Sequence, residues 1–193
     1  MKKIIFSFTI LFLTTTSFCQ DLQSLEIETN KMHKATSKMN FEEILDFSYP
    51  KLYDILSREQ MKEILEMTFT NEQFDISFLP IDPEFDYTPI KKIEKKSLSV
   101  IKYNLGMVMR FNDPVDDETA NIMIESLQAQ GESYASVKFD KEKNTFYIKG
   151  KSTMIAIADE VTENKWKFIT YDKNKRQIAE MLLSDSILNK LGL

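Results

Sequence analysis

Leu98-Ser99-Val100-Ile101-Lys102-Tyr103-Asn104-Leu105-Gly106-Met107-Val108-Met109-Arg110-Phe111 carries the pattern that decides the fold. Ile101, Tyr103, Leu105, Met107, Met109 and Phe111 recur at every second position, the period of a strand with one face toward a core. Leu98 and Val100 have the opposite parity. That phase slip at Val100-Ile101 predicts a bulge or bend, and a long bent strand implies a strongly curved sheet.

Toward the N-terminus, Phe74, Ile76 and Phe78 alternate with Asp75 and Ser77 as a half-buried strand. Pro80, Pro83 and Pro89 mark an irregular connection between the two strands. Lys91, Lys92, Lys95 and Lys96, interrupted by Glu94, suit a solvated strand edge, where Lys discourages edge pairing. The stretch before residue 73 has helical spacing. Leu25, Met32, Ala35 and Met39 give a helix over 22–39. Asn40 with Glu43 reads as a capping box for the next helix, whose apolar side is Phe41, Ile44 and Leu45. Tyr49-Pro50 breaks that helix, and Pro50 opens a short turn through Leu52, Tyr53 and Ile55. Ser57 with Gln60 is a second capping box, for a helix lined by Met61, Ile64, Leu65 and Thr68.

Toward the C-terminus, Asp113-Pro114 ends the long strand. Asp116, Asp117 and Glu118 suit a helix start, Ala120, Met123, Ile124 and Leu127 form its stripe, and Gly131 occupies a C′ position. Strands follow at 133–139, 145–158 and 165–171, with 141–144 as a hairpin turn. Met154 to Ala158 is apolar at every position, which marks a strand end buried on both faces. A single helical segment over 175–190 closes the chain, with Ile178, Met181, Leu182, Ile187 and Leu188 inward. Strands grouped into hairpins argue for an α+β fold. The expected architecture is a strongly curved, mainly antiparallel sheet of about six strands wrapped over N-terminal helices, with an extra helix near 116–130 and a C-terminal helix.

The run Met39-Asn40-Phe41-Glu42-Glu43-Ile44-Leu45-Asp46-Phe47-Ser48-Tyr49-Pro50-Lys51-Leu52 resembles the linker between the first and later helices of NTF2-like (SnoaL-like) α+β cone domains. The capped helix after Ser57 and the strand Lys165-Trp166-Lys167-Phe168-Ile169 are similar to later elements of that fold. The helix at 116–130 and the tail at 175–193 depart from its simplest members. The resemblance implies a conical interior, and it spans enzymes, small-ligand binders and interaction modules alike, so it selects no function.

The N-terminus reads as a leader: Lys2 and Lys3, a mostly apolar stretch Ile4 to Leu13, then Ser17 and Cys19 in a small-residue cleavage pattern. A cut after Cys19 makes residues 1–19 a signal peptide and residues 20–193 a single exported domain, periplasmic or secreted. The weaker alternatives are a retained anchor and lipidation at Cys19, for which Phe18 is a poor neighbour. No later run is long enough to span a bilayer. The chain carries −5, and removing residues 1–19 takes two Lys and no acid, leaving −7. That charge gives no electrostatic reason to bind nucleic acid. Cys19 is the one cysteine, so no disulfide is expected.

The catalytic inventory is thin. His33 is the one histidine, which excludes histidine-rich and cysteine-based zinc sites, and it reads as a helix-boundary side chain. The acidic run 112–118 lacks the glycine and spacing of a calcium loop. No cofactor motif and no catalytic residue is assigned. A cofactor-free lyase or isomerase would need a carboxyl with a raised pKa beside a tyrosine; Asp46, Asp75 and Asp159 are placed near element ends, although Asp75 alternates outward and Asp159 reads as a turn start. The candidate ligand-binding residues are Tyr49, Tyr53, Tyr103, Met107, Met109, Met154 and Trp166. Flexible Met side chains adapt to an apolar ligand, and the aromatic residues add polar handles; simple core is the competing reading. The expected role is an exported, non-enzymatic domain that binds a small apolar ligand or a protein partner through its cone or sheet face, with a homodimer covering that face as a further alternative.

Overall fold

The computed structural model describes residues 21–193; the expected leader lies outside them. The order is α1 (Leu22–Ser37), α2 (Phe41–Phe47), a 3-10 turn (Pro50–Asp54), α3 (Arg58–Phe69), β1 (Phe74–Phe78), β2 (Asp86–Tyr87), β3 (Lys91–Ile93), β4 (Lys96–Phe111), α4 (Asp117–Gln128), β5 (Ser136–Asp140), β6 (Thr145–Ala158), β7 (Lys167–Tyr171), α5 (Arg176–Leu182) and α6 (Asp185–Leu191). The fold is α+β with an antiparallel sheet. Among the described residues the sheet has seven strands where about six were expected, because the Pro-rich connection contributes the short β2 and β3.

Two long strands form the spine. β4 and β6 pair without interruption from Ser97↔Ala158 to Arg110↔Thr145. Short strands line both flanks: β1, β2 and β3 on the outer side of β4, β5 and β7 on the outer side of β6. The bulge expected at Val100-Ile101 is absent. The parity change there has another cause: the strand is buried on both faces. Leu98 and Val100 pack with Ile155 and Ile157 beneath α5 and α6. Ile101 packs with Met154 and Trp166 alongside Leu25 of α1. Farther along the Ile101 face, the first face, Met107, Met109, Phe111, Phe146 and Ile148 pack beneath α4.

The Ser57 cap holds as read, whereas Asn40 makes half of its box and Gly131 lies one position beyond C′ of α4, whose C-cap is Ala129. Ser57 and Gln60 make both halves of the capping box, at 3.2 and 3.0 Å. Asn40 accepts from the Glu43 amide at 3.3 Å, but the reciprocal bond is missing because the Asn40 N–H is already committed to the Ala35 carbonyl. The closing segment is two helices. Leu183 is extended and Ser184 caps α6 through the Ile187 amide. As a result Leu182, Ile187 and Leu188 are buried, whereas Ile178 and Met181 face outward. Strand β5 also starts later than expected, since residues 132–134 form a 3-10 turn that crosses Gly150; a Cβ there would lie 2.1 Å from the Ser133 carbonyl oxygen. Gly131 stands past the α4 end at φ 96°, opening that turn.

Candidate functional site

An apolar hollow forms where α2, the 3-10 turn and α3 meet the outer edge of β7. The cleft has a volume of about 320 Å³. Leu45 and Phe47 of α2, Met61 and Leu65 of α3, Leu52 of the turn and Phe168 of β7 form most of its wall, with Met32 of α1 at one side. Ser48 and Thr170 place the hydroxyl groups among its lining. Each wall has a local cause. The α2 helix stops at Phe47 because Pro50 requires extended backbone at Tyr49. The chain then runs beside β7, with a parallel bridge from Ser48 to Phe168 and a 3.0 Å hydrogen bond from the Tyr49 N–H to the Phe168 carbonyl.

A buried polar cluster anchors that elbow. The Tyr49 hydroxyl donates to Asp159 Oδ2 at 2.8 Å, and Lys96 donates to the same oxygen while lying 3.5 Å from the Tyr49 hydroxyl. Tyr49 is fully buried and Asp159 nearly so. Lys96 was expected on a solvated edge; instead its side chain is only 17 % exposed. The β3–β4 hairpin explains this. Glu94 and Lys95 occupy the left-handed turn positions, and Lys96 then falls on the inward side of the first residue of β4. Burial alone would push the Asp159 carboxyl up. Hydrogen bonds from Lys96 and then Tyr49, the Lys96 charge and the Thr162 amide outweigh burial and hold it below its ordinary value. The Tyr49 phenol is pushed up, first by burial and then by Asp159.

That arrangement answers the Asp/Tyr chemistry considered from sequence. A carboxyl lies beside a tyrosine, but it is charged, and three protein donors already occupy its lone pairs. A general acid of the raised-pKa kind needs the opposite shift. Asp159 also does what a turn start does: it accepts from the Thr162 amide at 3.2 Å, and its own N–H donates to Thr162 Oγ1 at 2.9 Å. Asp46 lies on the surface, 2.8 Å from Arg58, and Asp75 faces outward on β1.

The seven candidate ligand residues fall in different places. Tyr49 belongs to the core beneath α5 and α6. Tyr53 is half-buried and donates to the Leu45 carbonyl at 2.5 Å. Tyr103, Met154 and Trp166 share the cluster against α1, where Trp166 Nε1 donates to Ser24 Oγ at 3.0 Å. Met107 and Met109 lie beneath α4. The structure brings none of the seven into the wall of the apolar cleft. Leu45 and Leu65 are legible in the sequence as apolar helix positions, but periodicity reports only which side avoids water and does not separate a cleft wall from a core contact.

The helix α3 is the least embedded part of the wall. None of its residues is fully buried, and Ile64, expected inward, is 50 % exposed. Surface ion pairs tie it to α2: Arg58 to Glu42 and Asp46, and Lys62 to Glu42 at 2.6 Å. The Lys62 and Arg58 cations hold the Glu42 carboxyl below its usual value. Exposed pairs of this kind contribute little.

His33 is half-buried, with its ring edge-on to Phe85 at 5.6 Å. Burial pushes its pKa down, and Asp82 offsets part of the shift. Among the described residues, no group of His, Cys, Asp and Glu side chains is placed to hold a metal ion, and no helix is long and apolar enough to cross a membrane. The acidic run before α4 serves as a cap, with Asp116 accepting from the Thr119 amide at 2.7 Å. No protein-family model matches the chain, and no curated protein matches it in sequence.

Proposed function

We propose that this chain is an exported, non-enzymatic binding domain that takes a small apolar ligand into the cleft between α2, α3 and β7. The observation that carries the reading is the cleft itself: about 320 Å³ walled by Leu45, Phe47, Met61, Leu65 and Phe168. That volume is at the lower end of small-molecule sites, which run from about 300 to 1,000 Å³, and the apolar wall with a few hydroxyl groups matches their usual make-up. A ligand with one slender apolar chain suits the space, with any polar end directed to Ser48 or Thr170. The floor is rigid because Tyr49, Asp159 and Lys96 fix the elbow to the sheet. The α3 cover is held by few buried contacts, which makes it the part that can yield to admit a ligand. N-terminal helices followed by an antiparallel sheet support a reading of the domain alongside NTF2-like cone proteins, in which case the cleft would be a side entrance to the cone.

The test is a titration of the purified protein with the neutral solvatochromic dye Nile red, followed by displacement with straight-chain alcohols of increasing length. Binding is expected, with displacement that strengthens as the chain lengthens until the cleft is full. Leu65→Trp, which fills the cleft, should weaken dye binding by about tenfold or more, a loss of roughly 1.4 kcal/mol. Dye binding unchanged by Leu65→Trp, or absent altogether, would overturn the proposal.

A further inference from the structure

The sheet can be divided into four quarters, two on each face, and three of them carry helices. On the first face α1 covers the half near Ile101, and α4 covers the half near Met109. On the second face α5 and α6 cover the half near Val100. Among the described residues no helix lies over the fourth quarter, on the second face from Lys102 to Arg110 of β4 and from Lys151 to Thr145 of β6. Strand alternation and register fix which positions it shows: Lys102, Asn104, Gly106, Val108 and Arg110 on β4; Lys151, Lys149 and Tyr147 on β6; Ser136, Lys138 and Asp140 on β5; at its flank Asp75 of β1 lies across from Arg110 and Asp86 of β2 across from Lys102.

This quarter is basic in a chain whose net charge is −5. Lys102, Arg110, Lys138, Lys149 and Lys151 are all exposed, and among the described residues none makes an ion pair; of the acids on this face Asp140 is paired with Lys143 at 2.9 Å. The cross-strand neighbours of Lys138, Lys149 and Lys151 are neutral: Tyr147, then Gly106 and Ser136, then Asn104. Between the lysines lies a hollow of about 490 Å³, where Tyr147 meets Leu79, Pro80 and Ile81. A half-buried apolar centre flanked by Lys138, Lys149 and Lys151, none of which has an acidic cross-strand neighbour, is the pattern of a docking surface for a partner of opposite charge.

We infer that the bare quarter of the sheet docks an acidic amphipathic helix of a partner protein. Helices are what this sheet accepts on its other three quarters. The bare stretch of β4 is about 27 Å long at strand rise, which matches a helix of about 18 residues. An apolar stripe on that helix would cover Tyr147, Leu79 and Ile81, and its flanking carboxylates would reach Lys138, Lys149 and Lys151. A symmetric dimer through this face is disfavoured, because it would set the same lysines against each other.

The test uses two synthetic helical peptides of about 18 residues with the same leucine stripe, one flanked by Glu and one by Lys, and measures their binding to the full protein by fluorescence anisotropy. The acidic peptide should bind at low salt and the basic one should not, with affinity falling as salt rises. Lys149→Glu with Lys151→Glu should weaken binding by at least about tenfold, while Lys34→Glu with Lys38→Glu, an exposed pair at the C-terminal end of α1, should change it by less than about twofold. If the charge reversal fails to fold, Lys149→Gln with Lys151→Gln serves, with an expected loss of about fivefold. Absence of acidic-peptide binding, or equal loss in the α1 control, would refute the inference. An anionic polysaccharide that binds more tightly through the same lysines would replace the helix by a glycan. Concentration-dependent association that Lys149→Glu abolishes would replace it by a second copy of the chain.

Discussion

Replacing Asp159 by Ala tests whether the buried cluster holds the domain together. The substitution strands the Tyr49 hydroxyl, which is fully buried, and the Lys96 ammonium, whose side chain is 17 % exposed. Breaking a buried ion pair from one side costs about 3–5 kcal/mol. Lys96 can reach water by extending its stem, which places the expected loss near the bottom of that range, at about 3 kcal/mol. For a chain of this size each kcal/mol moves Tm by about 2–4 °C, so the midpoint should fall by about 6–12 °C. Asp159→Asn keeps an acceptor for Tyr49 and should cost about half as much. The decisive measurement is a double-mutant cycle with Lys96→Met, read by urea denaturation. The effect of Asp159→Asn should shrink by at least about 1 kcal/mol in the Lys96→Met background. The pH response has a definite sign. The folded carboxyl lies below its ordinary value, so its contribution is complete above the ordinary carboxylate range and is lost as pH falls through the lowered folded value. Wild type should therefore lose more stability than Asp159→Ala on acidification below about pH 4. A loss under about 1 kcal/mol for Asp159→Ala, or strict additivity with Lys96→Met, would refute the reasoning.

The pKa of His33 is lowered by burial, so the unfolded chain takes up a proton first; stability should fall as pH drops below about 6.5, and His33→Gln should flatten that part of the urea-midpoint profile. Gly150→Ala sets a Cβ against the Ser133 carbonyl, a backbone contact that cannot swing aside; a loss of about 3 kcal/mol or more is expected by thermal melting, and a neutral result would mean that the 132–134 turn does not cross there. Ser57→Ala removes the α3 capping box and should cost about 1 kcal/mol; because α3 covers the cleft, amide hydrogen exchange in α3 should rise more than in α1.

Much of the fold was legible because local chemistry and tertiary need agree. The Ser57–Gln60 box, the Tyr49-Pro50 break and the two-faced apolar run Met154 to Ala158 each follow from residues close in sequence. The misreadings share one physical origin. A parity change looks the same whether a strand is bulged or covered on both faces, and only the helices at the far end of the chain decide the case at Val100-Ile101. The same limit hid Lys96, whose partner Asp159 lies at the end of another strand. Ile178 and Met181 read as inward because Ser184, which divides the closing segment, is also acceptable inside a helix surface. Five of the candidate ligand residues, Tyr103, Met107, Met109, Met154 and Trp166, share one side of the sheet, but α1 and α4 divide that side between two clusters, and the cleft forms beyond the sheet edge.

The β4–β6 ladder has a consequence for kinetics. Its nearest pair in sequence, Arg110 and Thr145, encloses all of α4 and β5, so most of the chain-closure entropy falls on that first contact and each later pair adds little. Zippering then runs toward Ser97 and Ala158, and the next two residues outward are Lys96 and Asp159. The ion pair is a clasp at the last-formed end. Its removal should speed unfolding while leaving the folding rate almost unchanged, the signature of a contact made after the transition state.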